Sequence, residues 1–138
     1  MKNIKVTFSI AFLALTIILS GCAKDSATTP DAGTRAAFLG KWSVSETWTK
    51  LSYEVTISAD PNSSDGVFIS NFAQTGTSGT PASAAVNGST ILLDSPQVIG
   101  DGITIAGSGT LSGTKIVWHY TFDYQSNLIN AIATYTKQ

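Results

Sequence analysis

The stretch IVWHYTFD (residues 116–123) alternates large apolar residues with mostly polar ones at a period of two. In an extended strand that period puts Ile116, Trp118, Tyr120 and Phe122 on one face and Val117, His119, Thr121 and Asp123 on the other. The same pattern recurs earlier in the chain. Trp42, Val44 and Trp48 alternate with Ser43, Ser45 and Thr47, and Tyr53, Val55 and Ile57 alternate with Ser52, Glu54, Thr56 and Ser58. No segment of this region supports a long helix; residues 35–39 are expected to form one helical turn ahead of the first strand.

Turn-forming residues punctuate these runs. Asp60-Pro61-Asn62 and Asp65-Gly66 separate the second strand from residues 67–72. Asn87-Gly88, between the apolar runs 84–86 and 91–93, is a two-residue hairpin signal. Gly100 to Gly102, Ser112-Gly113 and Ser126-Asn127 mark further turns, and residues 130–137 form the last strand. Gly107-Ser108-Gly109 lies within strand pattern and reads as a glycine-rich strand or bulge. The fold class predicted is all-β, an antiparallel up-and-down meander of about eight strands over residues 36–138, a length common for a single core. Closing that meander into a barrel removes its exposed edges and can leave room for one small ligand. TGTSGTP (residues 75–81) is the one longer loop.

The N-terminal region has a different character. Lys2 and Lys5 precede an apolar run over residues 6–19, shorter than the roughly 20 residues a spanning helix needs and patterned like a secretory signal. That run ends in Leu19-Ser20-Gly21-Cys22, which contains the only cysteine of the chain. This tetrapeptide resembles the lipobox of bacterial lipoproteins. The resemblance implies that residues 1–21 are removed as a lipoprotein signal peptide and that Cys22 becomes the lipidated N-terminus, with the membrane as its partner. The expected location is the bacterial cell envelope, at the outer membrane. An uncleaved anchor, or an ordinary secretory signal with an incidental cysteine, is the other reading. With a single cysteine no intramolecular disulfide can form, so the domain depends on its core.

Residues 22–35 read as a flexible tether. Residues 23–34 (AKDSATTPDAGT) carry no large apolar side chain with which to offset the entropy of ordering. Fully extended, they reach about 40 Å at roughly 3.3–3.6 Å per residue. Within them, Lys24-Asp25 resembles a short form of the surface-export signals of Bacteroidetes lipoproteins, and Asp25-Ser26-Ala27 is similar to the O-glycosylation acceptor of that phylum.

Charge narrows the function classes. Loss of residues 1–21 removes two lysines and no acid, leaving six basic against nine acidic residues. Arg35, Lys41, Lys50, Lys115 and Lys137 are scattered, without the basic stripe of a nucleic-acid reader.

Phe38-Leu39-Gly40-Lys41-Trp42 contains a G-x-W element at the start of the first strand. It resembles the corresponding element of lipocalins and related calycins, in which a helical turn precedes the motif and the tryptophan closes one end of the barrel. Residues 107–120 and Ala133-Thr134-Tyr135-Thr136-Lys137 are similar to small lipocalin-like lipoproteins of Bacteroidetes. The resemblance implies a lipocalin-like barrel, with Trp42 as an end plug.

Candidate site residues follow from strand faces. Strict alternation puts Glu46 on the face of Trp42, Val44 and Trp48, where a carboxylate needs a partner or water. The simpler reading is that the strand bends or ends near Glu46 and leaves it at a solvated mouth. Tyr53, Trp118, Tyr120 and Tyr135 are apolar-face aromatics expected in the core; together with Glu46 they would line a ligand site, their hydroxyls orienting the ligand. His119, the single histidine, falls on the opposite face. No serine sits in a nucleophile motif, no residue set has metal-ligand spacing, and Asp60, Asn62 and Asp65 do not match an EF-hand. The expectation is a non-enzymatic lipoprotein, without cofactor or metal, that binds a small apolar or amphipathic ligand. The alternative is a solidly packed barrel acting as a protein- or glycan-interaction module.

Overall fold

The computed structural model describes residues 34–138. The expected signal peptide, Cys22 and all but the end of the expected tether lie outside the described residues. A single-turn helix α1 (Arg35–Phe38) leads into β1 (Gly40–Glu46), β2 (Ser52–Ala59) and β3 (Gly66–Ser70). A 3-10 turn (Phe72–Gln74) follows. Next come β4 (Ala82–Asn87), β5 (Thr90–Leu93), β6 (Gln97–Ile99), β7 (Ile103–Ser112), β8 (Lys115–Tyr124) and β9 (Asn127–Lys137).

All strand pairings are antiparallel. Neighbours in the chain pair from β1 to β5, then β5 pairs with β7, β7 with β8 and β8 with β9. Pairing of β9 with β1, from Trp42↔Lys137 to Glu46↔Ala133, closes the ring. The result is an eight-strand meander barrel, as the alternation and turns lead one to expect, with one strand more. That extra strand, β6, is only three residues long, too short to show a period. It takes the first half of β7 (Gln97↔Ile105) while β5 takes the second (Thr90↔Thr110), so the two share one edge of a ten-residue strand.

Several boundaries differ from the sequence reading. The first strand ends at Glu46; Thr47 to Thr49 turn away, and Trp48 is left about half exposed against Phe122. The third strand ends at Ser70, so Phe72 is not a strand residue. The hairpin after β4 turns on Gly88 and Ser89, with Asn87 paired to Thr90. β9 begins at Asn127, because Gln125 and Ser126 both take the positive φ that a two-residue hairpin demands. Of the two readings of Gly107 to Gly109, the glycine-rich strand holds and not the bulge, since the β7–β8 register runs unbroken from Ile105↔Phe122 to Ser112↔Lys115.

One end of the barrel is closed by α1. Phe38 and Trp42 are fully buried, Trp42 Nε1 donates to the Phe38 carbonyl at 2.8 Å, and Lys137 Nζ sits 4.9 Å from the centre of the Trp42 ring. Lys137 also donates to the Ala37 carbonyl, and the Arg35 guanidinium donates to carbonyls of the β2–β3 loop, including that of Ser63. Trp42 is therefore the plug of this end, as the G-x-W element implied. The register puts the loops 47–51, 71–81, 94–96, 100–102 and 125–126 together at the opposite end.

The interior is filled by complementary volumes. Trp118 of β8 stands between Gly109 of β7 and Ala133 of β9, and Tyr120 stands between Gly107 and Ala131. A Cβ on Gly109 would lie 2.8 Å from the Trp118 ring; one on Gly107 would lie 2.4 Å from Tyr120 Cβ and 2.5 Å from the His119 carbonyl oxygen. Gly109→Ala is expected to lower stability by about 1–3 kcal/mol through overpacking. Gly107→Ala should lower it more, because backbone rather than a movable ring stands in the way. Ser112→Ala, exposed on the same strand, should stay within about 0.5 kcal/mol. Urea unfolding of the three variants checks the order.

Candidate functional site in the barrel interior

Alternation along β1 brings Trp42, Val44 and then Glu46 to the interior, and the strand stops at Glu46. The strand does end where the simpler reading required, but the carboxylate is not solvated: Glu46 is only 4 % exposed. The 47–51 turn folds back over it, with Thr47 exchanging hydrogen bonds with the Ile132 backbone. Thr49 Oγ1 donates to Glu46 Oε2 at 3.3 Å, whereas Oε1 has no hydrogen-bond partner.

Tyr53 at the start of β2 and Tyr135 on β9 both flank Val44 across the ladder, one on each side. Trp118 lies 5.8 Å from Tyr135, ring centre to ring centre, and Tyr120 comes next along β8. The polar ends of these four residues, Tyr53 Oη, Trp118 Nε1, Tyr120 Oη and Tyr135 Oη, are buried and without a hydrogen-bond partner. Together with Glu46 Oε1 they are the buried, unpaired side-chain polar atoms among the described residues, and they belong to the five residues that strand-face reasoning selected. Buried polar groups ordinarily find partners, because each orphan costs roughly 1–3 kcal/mol.

Burial holds the Glu46 carboxyl above its ordinary value of 4.5, with Thr49 and Tyr53 pulling the other way. Burial, and then the charge of Glu46, push the Tyr53 hydroxyl upward, although the two groups do not meet in hydrogen-bonding geometry. Tyr135 is raised by its complete burial first and by Tyr53 and Glu46 after that. Tyr53 and Tyr135 therefore stay protonated at neutral pH. A phenol can donate and accept, the indole donates and the free carboxyl oxygen accepts.

Phe72 is the interior residue beside this set that strand-face reasoning missed. Assigned to the third strand, it would have been one more alternating side chain. Instead Asn71, Ala73 and Gln74 all adopt positive φ, and the turn drops the ring into the barrel, fully buried. Its centre lies 4.8 Å from Tyr120 and 5.2 Å from Trp118, both edge-on. Asn71 ties the turn down, its side chain donating to the Glu54 carbonyl and accepting from the Gly76 amide, both at 2.8 Å. Asn71 just past an apolar run was the available signal, since asparagine tolerates the left-handed region better than most residues.

His119 lies on the outer face, exposed. With Thr47, Thr121, Asn130 and Ile132 it borders an open groove of about 700 Å³ on the outside of β7, β8 and β9. Among the described residues no group of three or more His, Cys, Asp or Glu side chains is placed to hold a metal ion. No protein-family model, curated protein or solved structure matches the chain.

The sign of the pH dependence follows from Glu46. A carboxyl with a raised pKa in the folded state holds more protons folded than unfolded, so stability falls as pH rises from about 4.5 through the folded-state value and is level above it. Glu46→Gln is expected to remove that fall and to be more stable than the wild type at neutral pH. Exposed Glu54 and Asp65, whose carboxyls are lowered, act in the opposite sense and are common to both proteins. The difference between two urea-unfolding series across pH therefore isolates Glu46.

Proposed function

We propose that the chain is a lipid-anchored lipoprotein of the bacterial envelope, of lipocalin-like type, whose barrel takes up a small amphipathic ligand through the end opposite the Trp42 plug. The observation that carries the binding reading is the set of five buried polar atoms without partners, gathered on Glu46, Tyr53, Trp118, Tyr120 and Tyr135. A ligand with a polar group and a compact apolar body would pair with those atoms while keeping the rings dry. The anchor rests on the Leu19-Ser20-Gly21-Cys22 pattern, and the tether is long enough to hold the barrel clear of the membrane surface.

Native mass spectrometry of the full chain, expressed in a bacterial host and released from non-ionic detergent, tests the binding reading. A reproducible added mass on the barrel is expected, and Tyr135→Phe should weaken its retention. The same substitution should leave the emptied protein as stable as the wild type or about 1 kcal/mol more stable, because it deletes an unpaired buried hydroxyl. A bare polypeptide mass in every preparation would count against a ligand. For the anchor, Cys22→Ser is expected to abolish incorporation of labelled fatty acid and to move the protein to the soluble fraction.

A second reading has its own observation. The interior rings are already in contact and the outer groove beside His119 is open, which supports a packed barrel that meets a protein or glycan on its outer face. In that case substitutions at Ile132 and His119 should affect partner capture and Tyr135→Phe should not.

A further inference from the structure

The interior opposite the Trp42 plug has one carboxylate and no cation to balance it. Glu46 is the single charged side chain among the buried residues described. The ion pair present among the described residues, Lys41–Glu54, is on the surface, and Lys137 lies at the opposite end against Trp42. Thr49 satisfies one carboxylate oxygen with a neutral donor and leaves the other unpaired. The interior next to Glu46 is aromatic: Tyr53 and Tyr135 flank Val44, the preceding inward residue of β1, and Trp118 and Phe72 pack on Tyr135.

A buried carboxylate boxed in by aromatic rings selects by charge. An anionic ligand would be repelled, and a neutral one would leave the carboxylate without a counter-charge in a poorly solvated site. A cation gains the ion pair and the attraction of the negative ring faces together. Its N–H groups would donate to Glu46 Oε1 and to the phenol oxygens, all of which can accept.

The space for its apolar part is the volume now held by Phe72. That ring hangs from a turn in which Ala73 and Gln74, neither of them glycine or asparagine, sit in the left-handed region. That region is unfavourable for side chains with a Cβ, so the turn's hold on the ring is weaker than that of a strand. Were Phe72 to swing out, a ring-sized slot would be left beside Trp118 and Tyr120.

Resting on the reading of the barrel as a ligand carrier, we infer that its ligand is a small organic cation: an ammonium group that pairs with Glu46, on a ring-sized apolar body that takes the place of Phe72. Three probes of one size separate the possibilities: phenethylammonium, neutral 2-phenylethanol and anionic phenylacetate. Each is titrated into the full chain in a non-ionic maltoside near neutral pH and followed by tryptophan fluorescence. Phenethylammonium is expected to bind about tenfold or more tightly than the other two. Glu46→Gln should erase that preference while keeping the affinity for 2-phenylethanol, and Phe72→Ala should tighten both. Binding of 2-phenylethanol or phenylacetate as tight as that of the cation would overturn the charge assignment and leave a ligand-binding barrel standing. Absence of binding by all three probes, to the wild type and to a folded Phe72→Ala protein alike, would overturn the cation assignment and the ligand reading together.

Discussion

Trp118 and Tyr120 fit inside a barrel this small because the strands on either side of them give up their side chains. Gly109 and Ala133 make room for the indole, and Gly107 and Ala131 for the phenol ring. Interiors pack at close to crystal density, so large rings on one strand require small residues on its neighbours. The consequences spread from there. With the rings seated, β7, β8 and β9 form the long, continuous wall to which the shorter strands attach. Ten-residue β7 is long enough to accept both β5 and β6 along one edge, which is how nine strands close a ring of eight.

The two ends of the barrel are built on different chemistry. At the closed end the side-chain donors of the plug find backbone partners: Trp42 the Phe38 carbonyl, Lys137 the Ala37 carbonyl, and Arg35 carbonyls of the β2–β3 loop. This end is a finished piece of structure. Toward the opposite end five buried side-chain polar atoms remain unpaired, and a carboxylate is buried with one neutral donor. Aromatic residues continue to the rim, where Trp48 and Tyr124 are about half exposed. An interior with satisfied polar groups at one end and orphaned ones at the other separates a finished plug from the atoms on which the proposed ligand-binding reading rests.

Phe72 links the two themes. It completes the ring packing on Trp118 and Tyr120, and so supplies the dispersion contacts that the interior would otherwise lack. It does so from a turn whose backbone is held by the Asn71 side chain rather than by a sheet ladder. Packing that depends on a turn is more readily undone than packing that depends on a strand, since fewer hydrogen bonds break together when it opens.

The period-two alternation and the turn residues determined the fold class, the number of strands to within one, and which side chains face inward. These follow from local geometry: successive strand residues point to opposite faces, and Asp-Gly, Asn-Gly and Asp-Pro pairs halt a strand wherever they stand. Glu46, Tyr53, Trp118, Tyr120 and Tyr135 could be selected for the same reason, because facing is a property of each strand by itself. Only the tertiary structure decided that Glu46 is sealed by the 47–51 turn, that β6 joins the edge of β7, and that Phe72 leaves its strand to fill the barrel. Each of these depends on what lies across the interior, on atoms distant in sequence whose volumes and hydrogen-bonding capacity no local pattern encodes.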